Sequence, residues 1–338
     1  MRLECFSQKT RIALPYVINE KINKLVQISS SNRFQLGKSK GGKQMYDRIL
    51  VPLDGSNLAA GILPYVRWLA RVLKVPVELL YVDDPARLAP YSPPMQRGDF
   101  LEKVAASFSG AANVKCTTES GSPAGVIINM ASAAPGMLVG IATHGLSGAA
   151  RWLLGSVAEK VLRALTSDLL LVRPHGVNAE GEAELKTVLV PLDCSAPAEK
   201  VLPTVSELAH SLDLEVQLVH VTKHVYAGPP DAFLPVFGAI PNLKELWEQD
   251  KAQASKYLAA KVEQLRAQGL AKLSSKVIDG GVDGAAGEII DYAQKMPGSL
   301  IAMTSHGQTG IGRWLIGSVT ERVVCHSTTP VLVTRPQN

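Results

Sequence analysis

A glycine-punctuated stretch occurs twice in this chain, as THGLSGAARWLLGSVAEKVLRAL from Thr143 and SHGQTGIGRWLIGSVTERVVCHS from Ser305. In both copies nine residues separate a first glycine (Gly145, Gly307) from a Gly-Ser pair (Gly155-Ser156, Gly317-Ser318). Aligned over Thr143–Pro174 and Ser305–Pro336, 15 of 32 positions are identical, so the chain carries an internal duplication. The match continues upstream. YDRILVPLDGS from Tyr46 parallels LKTVLVPLDCS from Leu185, with Asp54 and Asp193 at the same place after an apolar run. Each copy then alternates helical stretches with strand-like runs (VPVELLYVDD and LEVQLVHVTK; MLVGIA and SLIAMT; LLLVRP and VLVTRP). Nearly continuous apolar strands alternating with helices imply a parallel α/β sheet covered on both faces.

With 338 residues and roughly 150 per domain, two domains are expected. They are placed at 45–175 and 185–338, joined by a polar linker at 176–184. No apolar run reaches the ~18 residues of a membrane span, so no membrane partner is expected. The net charge of +5 is unevenly spread. Residues 1–44 hold nine Lys and Arg against Glu4 and Glu20, a net of +7, leaving 26 basic against 28 acidic residues elsewhere. Such an arm could meet nucleic acid or a membrane surface. Because Met45 stands immediately before the first strand, residues 1–44 are read instead as a disordered extension or a gene-model artefact, and no nucleic acid is expected. Cys5, Cys116, Cys194 and Cys325 lack C-x-x-C spacing, which fits reduced thiols in a cytoplasmic protein. Cys194 stands where the first copy has Gly55.

A glycine loop between a buried strand and a helix start suits a phosphate, since backbone can approach the anion and the helix dipole favours it. Ser156 and Ser318 each begin S-x-x-E, the capping-box pattern, with Glu159 and Glu321. Even so, N–H groups near Val157 and Val319 remain for an anion. Asp54 and Asp193 lie at the carboxyl end of the first strand, where open α/β sheets bind ligands, but an aspartate there also caps helices. Pro52, Val82, Pro191 and Val221 are apolar, so a core role is their default. His144 and His306 read as loop-ordering residues, because no nucleophile is placed for them to activate. The Arg151-Trp152 and Arg313-Trp314 pairs sit between the loop glycines. A dinucleotide fingerprint and a P-loop are both absent. Pro64 and Pro203 fall within the first helix of each copy, where proline kinks or delays it. The second copy carries a long amphipathic stretch, Leu243 to Gln268, against Asp99–Phe108 in the first.

The LVPLDGS opening, the H-G-x9-G-S loop and the closing apolar strand resemble the universal stress proteins, here as a tandem pair from about Tyr46 to Pro336. The resemblance implies two five-stranded parallel open sheets of Rossmann-like type. It also implies that ATP, with any Mg2+ held mainly by its phosphates, binds proteins with the pattern G-x-x-G-x9-G-[S/T]. Transferred to this chain, the pattern points to Gly145, Gly155, Ser156 and Val157, with Pro52, Asp54 and Val82 toward base and ribose. The second set is Gly307, Gly317, Ser318, Val319, Pro191, Asp193 and Val221. The chain departs at the first glycine, having Ala142 and Thr304. Thr304 is expected to be costly if the position needs a backbone angle only glycine reaches, which makes the second site the weaker. The expected role is regulatory nucleotide binding without strong catalysis. A slow ATPase or phosphotransfer enzyme, or a ligand-free structural stress protein, are the alternatives. Such proteins dimerise through their last strands, so Leu169–Arg173 and Val331–Arg335 are expected to pair antiparallel as an internal pseudo-dimer, with a further homodimer allowed. Deleting residues 1–44 is expected to leave melting temperature and nucleotide binding unchanged; a large drop in melting temperature contradicts that.

Overall fold

The computed structural model describes residues 45–86, 95–108, 113–144, 154–174, 180–222, 243–305 and 316–335. Residues Met45–Asn338 form one compact unit, which carries every element below.

Each copy of the duplication supplies five strands. The first gives β1 (Arg48–Pro52), β2 (Val77–Asp83), β3 (Val114–Ser120), β4 (Met137–Ala142) and β5 (Asp168–Val172). The second gives β6 (Thr187–Pro191), β7 (Glu215–Val221), β8 (Leu273–Ile278), β9 (Ser299–Thr304) and β10 (Val331–Thr334). The helices are α1 (Leu63–Leu73), α2 (Met95–Ala106), α3 (Pro123–Ser132) and α4 (Ser156–Ala164) in the first copy. The second has α5 (Ala196–Glu199), α6 (Leu202–Leu212), α7 (Leu243–Ala267), α8 (Gly284–Gln294) and α9 (Ser318–His326). Pro64 and Pro203 act as their chemistry requires. Each sits in the first turn of α1 or α6, after a short separate turn (Ala59–Ile62, or α5), so the first helix of each copy comes in two pieces.

The two expected sheets are the halves of one. Ten strands run in the order β3-β2-β1-β4-β5-β10-β9-β6-β7-β8. All pairings within a half are parallel; at the centre β5 and β10 are antiparallel, with Val331 opposite Leu171, Leu332 opposite Leu170 and Val333 opposite Leu169. The pleat sends alternate residues of these strands to opposite faces. Leu170 and Leu332 join the core under α1, α2, α6 and α7, while Leu169, Leu171, Val331 and Val333 join the core under α3, α4, α8 and α9. Both cores therefore run through both halves. The outer strands β3 and β8 carry polar, largely exposed positions such as Lys115, Glu119, Ser275 and Lys276, the usual protection of an edge.

Side chains tie the same seam reciprocally. Arg173 donates to the Cys325 carbonyl near the end of α9 (2.8 Å). Arg335, its counterpart, donates to the Leu162 carbonyl and, at 3.4 Å, to the Arg163 carbonyl near the end of α4. Arg163 binds Glu159 of its own helix (3.2 Å) and Glu321 of α9 (2.7 Å). Tyr46 donates to Asp168 (2.8 Å), whose carboxyl burial pushes above the usual aspartate range against the pull of that hydrogen bond and the Arg335 N–H. The described end of the linker lies on α1: Ala183 N–H meets the Pro64 carbonyl (3.1 Å), Arg67 reaches the Gly181 carbonyl, and Arg71 pairs with Glu182 (2.6 Å).

Because the cores are continuous, the two halves are expected to melt together. Leu332→Ala is expected to lower unfolding free energy by about 2–5 kcal/mol while calorimetry still shows one transition. Two resolved transitions, only one of them shifted, contradict this.

Candidate functional site

In each half the chain adds strands on one side of β1 or β6 and then crosses to the other, so the order reverses between β1 and β4 and between β6 and β9. A crevice opens at such a switch point beyond the carboxyl ends of the strands. Asp54 follows the end of β1 and His144 follows the end of β4, on the same edge of the sheet. Pro52 and Val82 are partly buried residues at the ends of β1 and β2, and Pro191 and Val221 occupy the same places on β6 and β7.

Asp54 and Asp193 are not themselves helix caps. Asp54 Oδ1 accepts from the Ser56 N–H (3.0 Å) and hydroxyl (2.6 Å), and Ser56 Oγ accepts from the Ala59 N–H (3.0 Å). Asp193 holds Ser195 in the same way (3.0 and 2.5 Å), and Ser195 caps α5 through the Ala198 N–H (3.3 Å). The carboxylate orients the serine in both halves, and in the second half the serine caps α5. Between them, Gly55 has φ +84° and Cys194 has φ +64°, a left-handed conformation that costs a cysteine more than a glycine. Cys194 lies 3.6 Å from His220 Nδ1, which itself meets the Leu192 carbonyl at 2.8 Å. Burial, with the Asp193, Asp250 and Glu199 charges, pushes its thiol up.

The expected capping boxes do not form. The N-cap of α4 is Gly155 and that of α9 is Gly317, with no side-chain cap bond at either, so Ser156 and Ser318 are the first helical residues. The glycines are fixed by backbone instead: Gly155 N–H donates to the Thr143 carbonyl and Gly317 N–H to the Ser305 carbonyl, both at 2.8 Å. A Cβ on Gly155 would stand 2.9 Å from the Thr143 oxygen, which is why glycine is needed there. The first helical bonds are Glu159 N–H to Gly155 and Glu321 N–H to Gly317. The N–H groups of Ser156, Val157 and Ala158, and of Ser318, Val319 and Thr320, are thus left over by helix geometry. Among the described residues none has a partner.

A second correction concerns the departures from the glycine pattern. Ala142 and Thr304 end β4 and β9 in ordinary strand conformation; Lys74, Cys194 and Asp213 are the only described non-glycine residues with positive φ. A β-branched residue is at home in a strand, so Thr304 carries no backbone penalty. Its carbonyl accepts from the Thr320 hydroxyl (2.9 Å). Gly145, Gly307, His306 and both Arg-Trp pairs lie outside the described residues.

The two halves differ in ways the motif comparison missed. Glu199 of α5 binds Tyr257 (2.8 Å) and Lys261 (2.7 Å) of the long α7; burial raises its carboxyl, but these bonds outweigh it and hold it below the usual range. The residue in register in the first half is Ala60, packed on the core. Ser305 binds the Arg335 guanidinium (3.2 Å), whereas its counterpart Thr143 pairs with His144 Nδ1 (2.9 Å). No signal within one sequence marks the Glu199 and Arg335 pairings, because they join segments far apart in the chain. A cleft of about 640 Å3 lined by Tyr65, Glu184, Gln294 and Thr329 lies beside the linker and includes none of the expected site residues. Among the described residues, no group of three or more His, Cys, Asp or Glu side chains is placed to hold a metal ion, and no helix is long and apolar enough to cross a membrane.

A sheet switch point flanked by an aspartate loop and an uncapped helix start, repeated in two halves, defines a duplicated α/β fold. Comparison with known proteins gives it a family. The model of the universal stress protein family matches twice, over residues 45–173 and 184–335. The chain belongs to the universal stress protein family, a family of stress-response proteins, and carries two copies of its domain in tandem. It is 30% identical over 161 residues to universal stress protein MJ0531 of Methanocaldococcus jannaschii, covering 48% of this chain and 88% of that protein. A universal stress protein of Mycolicibacterium smegmatis is 24% identical over 308 residues, covering 86% of this chain and 97% of the relative. The crystal structure of a universal stress protein from Archaeoglobus fulgidus superposes with TM-score 0.62 at 19% identity, over 87% of this chain and 99% of that one, and so shares the fold.

The caps can be checked by stability. Ser195→Ala is expected to cost about 1 kcal/mol, and Ser156→Ala to fall within about 0.5 kcal/mol of wild type. A large loss at Ser156 would mean that its hydroxyl caps α4 after all.

Proposed function

We propose that the protein binds an adenine nucleotide, ATP foremost, in the first half, between the Asp54 loop and the segment running from Gly145 to Ser156. The observation that carries this reading is the start of α4. The Ser156, Val157 and Ala158 N–H groups have no side-chain cap, at a switch-point crevice, at the positive end of a helix. Unpaired donors at a helix N-terminus favour a phosphate by charge and by geometry. Gly155 lets the loop close against Thr143 without a side chain in the way. The base would lie toward Pro52, Asp54 and Val82, and any Mg2+ would be carried by the phosphates. The proposed role is regulatory, in the cytoplasm, without strong catalysis.

The second half repeats the backbone of this arrangement at Ser318, Val319 and Thr320. Its crevice differs in Cys194, Glu199 and the Arg335–Ser305 contact, and the first site is the one expected to dominate. The test uses matched variants. Gly155→Val and Gly317→Val place a branched side chain on equivalent N-cap glycines, so both lower the melting temperature. Calorimetry is expected to show micromolar ATP binding in wild type, lost in Gly155→Val and kept in Gly317→Val. Undiminished affinity in folded Gly155→Val sinks the assignment to the first site; absence of binding in wild type sinks the nucleotide reading altogether.

A further inference from the structure

The seam is twofold in its backbone but not in its side chains, and the difference centres on one buried acid. Asp168 opens β5, beside the central ladder. Its register partner in the second half is Pro330, and Leu185 stands there where the first half has Tyr46. Tyr46, itself buried, donates its hydroxyl to Asp168 Oδ2 (2.8 Å). The Arg335 N–H, just past β10, meets Asp168 Oδ1 at 3.4 Å. One step beyond the pair Val333–Leu169, the ladder sets Thr334 opposite Asp168. The Thr334 hydroxyl is buried without a hydrogen-bond partner.

Among the described residues no cation offsets the charge of this carboxyl, and Glu207 of α6 acts on Tyr46 with a charge of the same sign. Burial raises Asp168 above the usual aspartate range, against the pull of both hydrogen bonds. The protonated acid is neutral and gains an O–H donor, with the Thr334 oxygen across the ladder as an acceptor in register. A carboxyl raised in this way stabilises the fold fully below its unfolded value. That contribution is lost as pH rises through the folded value.

Asp168 is also joined to the second crevice. The Arg335 guanidinium reaches Ser305 Oγ (3.2 Å) and the Leu162 and Arg163 carbonyls near the end of α4. The Ser305 carbonyl in turn anchors the N–H of Gly317, the N-cap of α9, at 2.8 Å. In the first half the matching anchor of Gly155 is Thr143, which pairs with His144. With Pro330 in register, no second acid stands to influence that anchor.

We infer that Asp168 is a protonation switch in the seam: the acid form closes the β5–β10 ladder, and the carboxylate loosens it at Arg335 and so frees the Ser305 anchor of α9. The device makes the second crevice respond to pH and leaves the first unaffected.

The experiment follows the full chain by melting and amide hydrogen exchange from about pH 4 to about pH 8, beside Asp168→Asn, a permanently neutral match to the acid form. The two proteins are expected to melt alike at the acid end. Wild type then falls behind by on the order of a few degrees as pH rises. Exchange at Gly317 is read against Gly155, whose equivalent bond is the internal reference. The ratio of the two rates is expected to climb several-fold with pH in wild type and to stay flat in Asp168→Asn. Tyr46→Phe removes the hydroxyl that holds the carboxylate and is expected to move the wild-type transition to higher pH, a check that does not depend on Asp168→Asn folding. A melting-temperature gap independent of pH overturns the inference, as does a Tyr46→Phe transition that stays in place or moves to lower pH. A pH-dependent gap with a flat exchange ratio also overturns it, since the link from Asp168 to α9 is then absent.

Discussion

The antiparallel pairing of β5 with β10 is the contact on which the rest of this molecule depends. Every residue from Leu169 to Val172 and from Val331 to Thr334 is buried, on both faces of the sheet. A half standing alone would present that strand as an open apolar edge, the arrangement most prone to pairing with a stranger. The duplication solves this within one chain. A twofold relation between equivalent edge strands sets them antiparallel, and the ladder then carries both hydrophobic cores across the seam without interruption. A linker of nine residues can span at most ~30 Å. Its described end lies against α1.

The chemistry at the seam reaches the crevices. Helices α4 and α9 each begin at a switch point and end against the other half's terminal strand. The last carbonyls of a helix have no partners inside it and carry the negative end of its dipole. Arg335 supplies donors and positive charge to the end of α4, and Arg173 does the same for α9. Burial lowers the affinity of the Arg335 guanidinium for its proton, though it remains a cation at any ordinary pH. The interface that hides two strand edges thus also completes the carboxyl ends of two helices, and their amino ends are left for something else.

Much of this was legible in the sequence because it follows from local rules. The repeated motifs gave the two halves, unbroken apolar runs gave parallel strands, and Pro64 and Pro203 marked where the first helix of each half restarts. The seam and its antiparallel sense followed from the resemblance to a family that dimerises through its last strands, together with the twofold relation of a duplicated edge. The failures are equally physical. S-x-x-E describes a capping box only if the serine is the N-cap, and one residue of displacement, caused by the Gly155 bond to Thr143, removes it. The concern over Thr304 assumed a left-handed backbone, but the position is the end of a strand, and the left-handed residue that does depart from glycine is Cys194. The pairings of Glu199 with Tyr257 and Lys261, and of Arg335 with Ser305, join segments tens of residues apart, and no periodicity encodes them.

Divergence between the halves follows from what each part must do. The backbone of both helix starts is the same to within a tenth of an ångström in its anchoring bond, 2.8 Å at Gly155 and at Gly317, because any change there would move a helix that the seam also holds. Side chains around the crevice carry no such constraint. In the first half Thr143 faces the adjacent imidazole; in the second, Ser305 is drawn to Arg335 and so to the carboxyl end of α4. Glu199 of α5, bound by Tyr257 and Lys261 of α7, adds a further change in the second half, where the first half has Ala60. The shared scaffold repeats an uncapped helix start twice, while the side chains around it differ between the two copies. Because the β5–β10 seam joins both cores, side chains at one crevice can change without parting the two halves.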